Sequence, residues 1–147
     1  MNHSGAKEGG HLWVYPNNDP KELSSLVLAY VGDAVFELYV RMYLVAKGGV
    51  RVKELNSEAS SIVRATNQAG LLQRLEPLLT EEEKDVARRG RNAKSGSVPK
   101  NTDIVVYRIS TGFEALLGYL FLAHQEERIN YLLEYLFKES GGVYGPQ

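Results

Sequence analysis

LVLAYVGDAVFELYVRMYL, residues 26–44, predicts a helix that is apolar on nearly every side and yet carries Asp33 near its middle. Its apolar residues recur at spacings of three and four positions, which is the pattern of an α-helix. A carboxylate buried among apolar neighbours without a partner is costly in free energy. We therefore expect a central helix, covered by other helices or by a second copy of the chain, in which something compensates Asp33.

Helix start and stop signals extend this element and predict others. Asp19, Pro20 and Glu22 form an N-terminal capping pattern, and Gly48 with Gly49 forms a stop, so the first helix should run from about Pro20 to Lys47. Further helices are predicted at about Asn56–Leu72, Thr80–Arg89, Asp103–Ala123 and Glu126–Lys138. No strand pattern appears. We expect an all-α bundle of five to seven helices over residues 16–140, with flexible tails at 1–15 and 141–147.

The composition is that of one folded domain. Hydrophobic residues make up 44% of the 147 positions and charged residues 24%, which excludes general disorder. The absence of cysteine excludes disulfides, thiol catalysis and thiolate-bound metals. The chain shows neither a signal-peptide pattern nor a run of about 18 apolar residues that could span a membrane. These features predict a cytoplasmic protein without a membrane partner.

A second isolated acid, Glu114, lies in another apolar run, FEALLGYLFLA at 113–123. Small or weakly polar residues lie one turn from both acids, and they leave the space that a binding site needs. Two facing carboxylates repel each other unless a cation or a proton lies between them, and oxygen ligands without Cys or His favour Mg²⁺ or Mn²⁺. The alternative is that Asp33 continues a solvated stripe with Glu37 and Arg41, which are spaced as a helical ion pair.

The segment 86–102, VARRGRNAKSGSVPKNT, contains five positive charges and no acidic residue, although the whole chain has a net charge of −1. Its glycines and proline predict that a basic helix end continues into a flexible loop. Such a segment can bind the phosphate backbone of a nucleic acid, or it can be an ordinary solvated loop. The candidate nucleic-acid-binding residues are Arg88, Arg89, Arg91, Asn92, Lys94 and Lys100.

Two motifs carry a resemblance to a known family. The residues YVGDAVFE at 30–37 resemble the signature of the ribonuclease III family, usually phenylalanine-leucine-glycine-aspartate-alanine-valine-leucine-glutamate. The residues FEALLG at 113–118 resemble its second motif, which ends in glutamate-alanine-leucine-isoleucine-glycine. The segment 88–103 resembles the short members that consist of the catalytic domain alone. The resemblance extends over about residues 20–138, and we expect no double-stranded-RNA-binding domain of the kind that larger members carry.

This resemblance implies an obligate dimer of helical subunits that holds double-stranded RNA across two active sites. In this family a Mg²⁺-activated water attacks a phosphodiester and leaves short 3′ overhangs. Asp33 matches the family's catalytic aspartate, and Glu114 matches its metal-binding glutamate. The implied substrate is precursor 23S ribosomal RNA, and a ribosomal protein bound to that RNA is a candidate partner.

Two positions depart from the family pattern. Full-length members carry further acids one turn before each matched acid, whereas this chain has Ala29 and Thr111 there. Glu37 and Asp103 are the candidates to replace them. The departures leave an alternative open, a non-catalytic helical module that binds double-stranded RNA. A helical phosphohydrolase of small nucleotides fits less well, because the chain lacks the dense acidic clusters of such pockets.

Overall fold

A computed structural model describes residues 13–94 and 98–139 of the chain, and these residues form six α-helices and two 3₁₀ turns without a strand. The predicted all-α bundle is thereby confirmed. The helices are α1 (Ser25–Ala46), α2 (Val52–Val63), α3 (Ala65–Leu75), α4 (Glu81–Asn92), α5 (Ile104–Leu122) and α6 (Glu126–Glu139), and the 3₁₀ turns are Pro20–Glu22 and Glu76–Leu78.

Helix α5 is the centre of the bundle. Residues 110–120 are all buried except Glu114, which is half-buried. The helix packs most extensively against α1 and also against α4 and α3. Among the described helices, α5 is long and apolar enough to cross a membrane by length and composition. Its place in the middle of the bundle explains the same apolar character, because a helix that is covered on most sides needs few polar residues.

Helices α1 and α5 approach each other unusually closely at two glycines. A Cβ on Gly32 would overlap the backbone carbonyl of Glu114, and a Cβ on Gly118 would overlap that of Leu28. Beside this contact, Phe36 and Phe113 meet edge to face with ring centroids 5.0 Å apart. The glycines therefore set the separation of the two helices, and the aromatic pair fills the core next to them.

The prediction that the first helix begins at Pro20 is wrong. Asp19 caps only the 3₁₀ turn, where its side chain accepts from the Lys21 amide, and Leu23 is then extended. A second N-cap, Ser24, opens α1 by accepting from the Val27 amide at 3.2 Å. The sequence holds two N-cap residues in succession, and each one satisfies the amides of its own turn.

The single helix predicted at Asn56–Leu72 is also wrong. Helix α2 begins earlier, at Val52, and the chain breaks at Arg64, whose backbone is extended (φ −68°, ψ 155°). The side-chain amide of Asn67 donates to the Ile62 carbonyl at 2.7 Å, and the side-chain amide of Gln68 donates to the Val63 carbonyl at 2.8 Å. These two side chains replace the backbone partners that the last turn of α2 loses at the break.

The other helix boundaries agree better with the sequence. Thr80 and Glu83 form a capping box at the predicted start of α4, and α6 lies where it was expected. The N-cap of α5 is Asp103, which accepts from the Val105 and Val106 amides. Tyr15, within the segment expected to be a tail, is buried and donates to Glu126 at 3.2 Å. Of the two expected tails, residues 1–12 and 141–147 lie outside the described residues.

Candidate active site

Asp33 and Glu114 are neighbours because of the glycine contact between α1 and α5. Asp33 follows Gly32 directly, and the position of Gly32 lies over the Glu114 carbonyl. The two carboxyl groups are close enough to share a hydrogen bond. Asp33 is exposed, whereas Glu114 is half-buried. The structure thus brings together the two acids that the sequence singled out. The sequence suggested that Asp33 would be the buried one, but Glu114 is the more buried of the two.

The electrostatics of the pair favour an added positive charge. Burial, and then the negative charge of Asp33, raises the pKa of Glu114 to about 8. A hydrogen bond from the Gln68 side chain acts in the opposite direction, because it favours the charged carboxylate. The raised pKa means that a second negative charge is disfavoured beside Asp33. A cation between the two acids would offset this repulsion.

The donor set of this pair fits Mg²⁺. Mg²⁺ prefers oxygen ligands, keeps several waters, and is commonly held by one or two carboxylates together with substrate phosphates. Asp33 and Glu114 supply two carboxylates, and Asp33 is open to solvent and therefore to a substrate. Within residues 13–94 and 98–139, no group of three His, Asp or Glu side chains is arranged to hold a metal. The remaining ligands would be water and phosphate oxygens.

Neither candidate for the missing acids joins the pair. Glu37 accepts from Arg41 at 2.9 Å on the exposed side of α1, so that part of the solvated stripe exists as predicted. Asp103 uses its carboxylate to cap α5. At the two departing positions, Ala29 is buried, and the Thr111 hydroxyl donates to the Tyr107 carbonyl at 3.0 Å. The pair of Asp33 and Glu114 therefore gains no further carboxylate from any of these four positions.

The sequence reasoning missed Gln68, a buried polar residue beside Glu114. Gln68 is 2% exposed, and its Oε1 has no hydrogen-bond partner among the described residues. A signal was available, because Gln68 lies three and four positions before Leu71 and Leu72 and therefore on the apolar face of its helix. A polar residue on that face is a departure that needs a reason.

The basic segment lies against the part of α5 that carries Glu114. A Cβ on Gly90 would be 2.8 Å from the Ala115 side chain and 3.0 Å from the Gly112 Cα, so the end of α4 packs on the turn of α5 that contains Glu114. Asp85, the residue directly before the segment, forms ion pairs with Arg88 and Arg89. The sequence reasoning overlooked these pairs, which offset part of the positive charge. All the predicted RNA-binding residues are exposed: Arg88, Arg89, Arg91, Asn92, Lys94 and Lys100. Residues 95–97 of the loop lie outside the described part.

The side of α1 that faces away from α5 is apolar and exposed. Tyr30 is 82% exposed, Met42 62% and Val45 57%, and Leu38 and Val27 are about half exposed on the same side. These positions recur at helical spacing, so they form one stripe along the helix rather than scattered residues. We call this stripe, Val27 to Val45, the outer face of α1. Contiguous apolar surface of this kind marks an interaction site.

Comparison with known proteins adds independent information. The family described as Ribonuclease III domain matches residues 26–125. Mini-ribonuclease 3 of Symbiobacterium thermophilum is 52% identical over 116 residues, which are 79% of this chain and 89% of that protein. Mini-ribonuclease 3 of Enterococcus faecalis is 46% identical over 125 residues, which are 84% of this chain and 95% of that protein. A crystal structure of a Fusobacterium nucleatum protein superposes with a TM-score of 0.74 at 29% identity, covering 84% of this chain and 98% of that one.

Proposed function

This chain belongs to the ribonuclease III family, in its Mini-ribonuclease 3 branch, and is an endoribonuclease; we propose that it cleaves double-stranded RNA with Mg²⁺ held by Asp33 and Glu114. The observation that carries this proposal is the pairing of the two acids, one open to solvent and one half-buried with a raised pKa. Such a pair is costly in a folded protein unless a cation uses it.

Each part of the site has a role in this proposal. Asp33 and Glu114 would hold Mg²⁺, which would lower the pKa of a bound water and neutralise charge on the phosphate that is attacked. The exposed basic residues at the end of α4 bind phosphates of the duplex beside the acids, and they recognise the shape of an A-form helix more than its sequence.

A homodimer is part of the same proposal. The outer face of α1 carries exposed apolar side chains on the helix that also carries Asp33. A second copy of the chain that buried this face would bring two acid pairs to one assembly, as cleavage of both strands of a duplex requires. The apolar stripe supports the dimer, because a monomer would leave it in contact with water.

The finer identity of the substrate rests on the family resemblance. We propose that the cellular substrate is precursor 23S ribosomal RNA in the cytoplasm, with a ribosomal protein on that RNA as a further partner. The direct test incubates the protein with a duplex containing the paired ends of precursor 23S RNA and with an unrelated duplex of equal length. Cleavage should require Mg²⁺, stop with EDTA and return when excess Mg²⁺ is added.

The alternative is a non-catalytic module that binds duplex RNA, and Ala29 and Thr111 in place of acids favour it. The same assay separates the two functions. Duplex that is retained in a gel shift but stays intact at every Mg²⁺ concentration would support the binding module and contradict the nuclease. Cleavage of the unrelated duplex at the same rate would contradict only the proposed preference for precursor 23S RNA.

A further inference from the structure

Gln68 is a polar side chain in a place where an apolar one would pack better. It belongs to α3, is 2% exposed, and shares its surroundings with buried leucines of the core. Its Oε1 atom has no hydrogen-bond partner among the described residues. An unsatisfied buried acceptor costs free energy, so a purely structural position would favour a hydrocarbon of the same size.

The amide of Gln68 connects two parts of the fold. Its Nε2 donates to the Val63 carbonyl at 2.8 Å, which ties α3 to the last turn of α2. The Gln68 side chain also lies close enough to the Glu114 carboxyl to lower the pKa of that acid. Glu114 is on α5, against which α3 packs. Gln68 therefore connects the break between α2 and α3 with Glu114, one of the two acids of the candidate active site.

We propose that Gln68 is a positioning residue that holds the Glu114 carboxylate in the orientation in which it binds the divalent cation. This inference rests on the proposed function. It follows from geometry and from the small number of acids: with Ala29 and Thr111 at the other two positions, each remaining carboxylate has to be well oriented. Hydrogen bonds to metal-binding carboxylates fix their direction and raise the affinity for the metal.

The other explanation of Gln68 is that it only caps α2. The chain offers a matched control for this role, because the neighbouring Asn67 makes the same kind of bond, from its amide to the Ile62 carbonyl at 2.7 Å. Both side chains close the same break in the backbone. Only Gln68 has the additional interaction with Glu114. A difference between the two residues in metal binding thus separates positioning from capping.

The experiment measures Mn²⁺ binding to the full chain without RNA by isothermal titration calorimetry, together with thermal unfolding. Gln68→Met keeps the volume of the side chain and removes its amide. We expect the Kd for Mn²⁺ to rise by about 10-fold or more in Gln68→Met. In Asn67→Ala the melting temperature should fall while the Kd for Mn²⁺ stays that of the wild type. An unchanged Kd in Gln68→Met, or an equal rise in Asn67→Ala, would overturn the proposal.

A measurement on the wild-type protein covers the case in which Gln68→Met does not fold. In a ¹⁵N–¹H spectrum, addition of Mg²⁺ should shift the side-chain amide signals of Gln68 and leave those of Asn67 in place. Signals of Gln68 that do not move would refute the positioning role. A wild-type protein that binds no Mn²⁺ and cleaves no duplex would contradict the proposed function itself. If the wild type binds Mn²⁺ and cleaves duplex, the results for Gln68 test the positioning role alone.

Discussion

Asp33 is the residue on which the proposed chemistry depends most directly, because it is the exposed member of the acid pair. In Asp33→Asn the cation loses one carboxylate ligand, and we expect duplex cleavage to fall by more than about 100-fold. Melting temperature should be retained, since the change removes a negative charge from the side of Glu114. Initial rates on a long duplex in Mg²⁺ measure the effect. The control is Glu37→Gln, one turn further along α1, which should cleave at a rate near that of the wild type.

Gly118 determines how closely the two acid-bearing helices pack. In Gly118→Ala the added Cβ would overlap the Leu28 carbonyl, which belongs to the backbone and cannot rotate away. We expect a loss of about 3 kcal/mol or more in the free energy of unfolding, and loss of cleavage in the protein that still folds. The matched control is Gly70→Ala in α3, where nothing lies within 4 Å of the new Cβ. That variant should gain about 0.5–1 kcal/mol. Equal urea midpoints for the two variants would contradict this account.

At the level of whole elements, the outer face of α1 predicts self-association. Tyr30→Asp places a charge at the most exposed apolar residue of this face, and we expect it to shift the protein from dimer to monomer in sedimentation velocity at micromolar concentration. Val50→Asp is the control, because Val50 is equally exposed at 84% but lies in the connection after α1. A wild-type monomer, or a Tyr30→Asp variant that remains dimeric, would exclude the outer face as the interface.

The end of α4 and the loop after it predict a salt-dependent RNA interaction. Each phosphate contact contributes about −0.9 to the slope of log K against log salt concentration. Replacing Arg88, Arg89, Arg91 and Lys94 by Gln should therefore reduce the magnitude of this slope by about 2 to 4, since Asp85 already offsets part of the charge. Fluorescence anisotropy of a labelled duplex in Mg²⁺-free buffer measures it. Lys138→Gln, at the far end of α6, should leave the slope unchanged; an unchanged slope in the fourfold variant would exclude this surface.

The elements also show which features a sequence reveals. Periodicity identified α1 and α5 because both are long and strongly apolar, and isolated acids are conspicuous in such helices. The break at Arg64 was missed, because side-chain amides of Asn67 and Gln68 stabilise it, and local patterns do not show which carbonyl a distant amide will reach. The contact of Gly32 with Glu114 was equally hidden. It depends on two helices that are far apart in the chain and meet only after folding.

At the scale of the whole molecule, a partly buried ion pair ties the last helix to α4. Arg128 of α6 donates to Glu83 of α4 through two nitrogens, each at 2.8 Å, and also to the Leu78 carbonyl at 2.9 Å. Glu83 is 4% exposed and belongs to the capping box of α4. Breaking a buried pair leaves one charge without a partner, so this contact should contribute strongly to the stability of the bundle.

The pH dependence of unfolding tests this contact. Burial alone would raise the pKa of Glu83, but hydrogen bonds from Arg128 and Thr80 outweigh it and hold the pKa below the usual 4.5. The folded protein thus binds this proton less readily than the unfolded chain, so the stability from Glu83 is present above pH 4.5 and is lost as the pH falls through its folded pKa. We expect the free energy of unfolding of Glu83→Gln to be about 2–3 kcal/mol lower than that of the wild type at pH 7. As the pH falls from 5 to about 3, the variant should lose less stability than the wild type loses.

Urea unfolding at fixed protein concentration and several pH values measures both effects, since a fixed concentration keeps any contribution from self-association constant. Glu82→Gln is the control, because Glu82 pairs with Lys21 on the surface, where solvent screens the interaction. Its unfolding curve at pH 7 should nearly match that of the wild type. If Glu83→Gln and the wild type lost stability in parallel on acidification, the acid sensitivity of the fold would have to come from carboxylates other than the one that Arg128 holds.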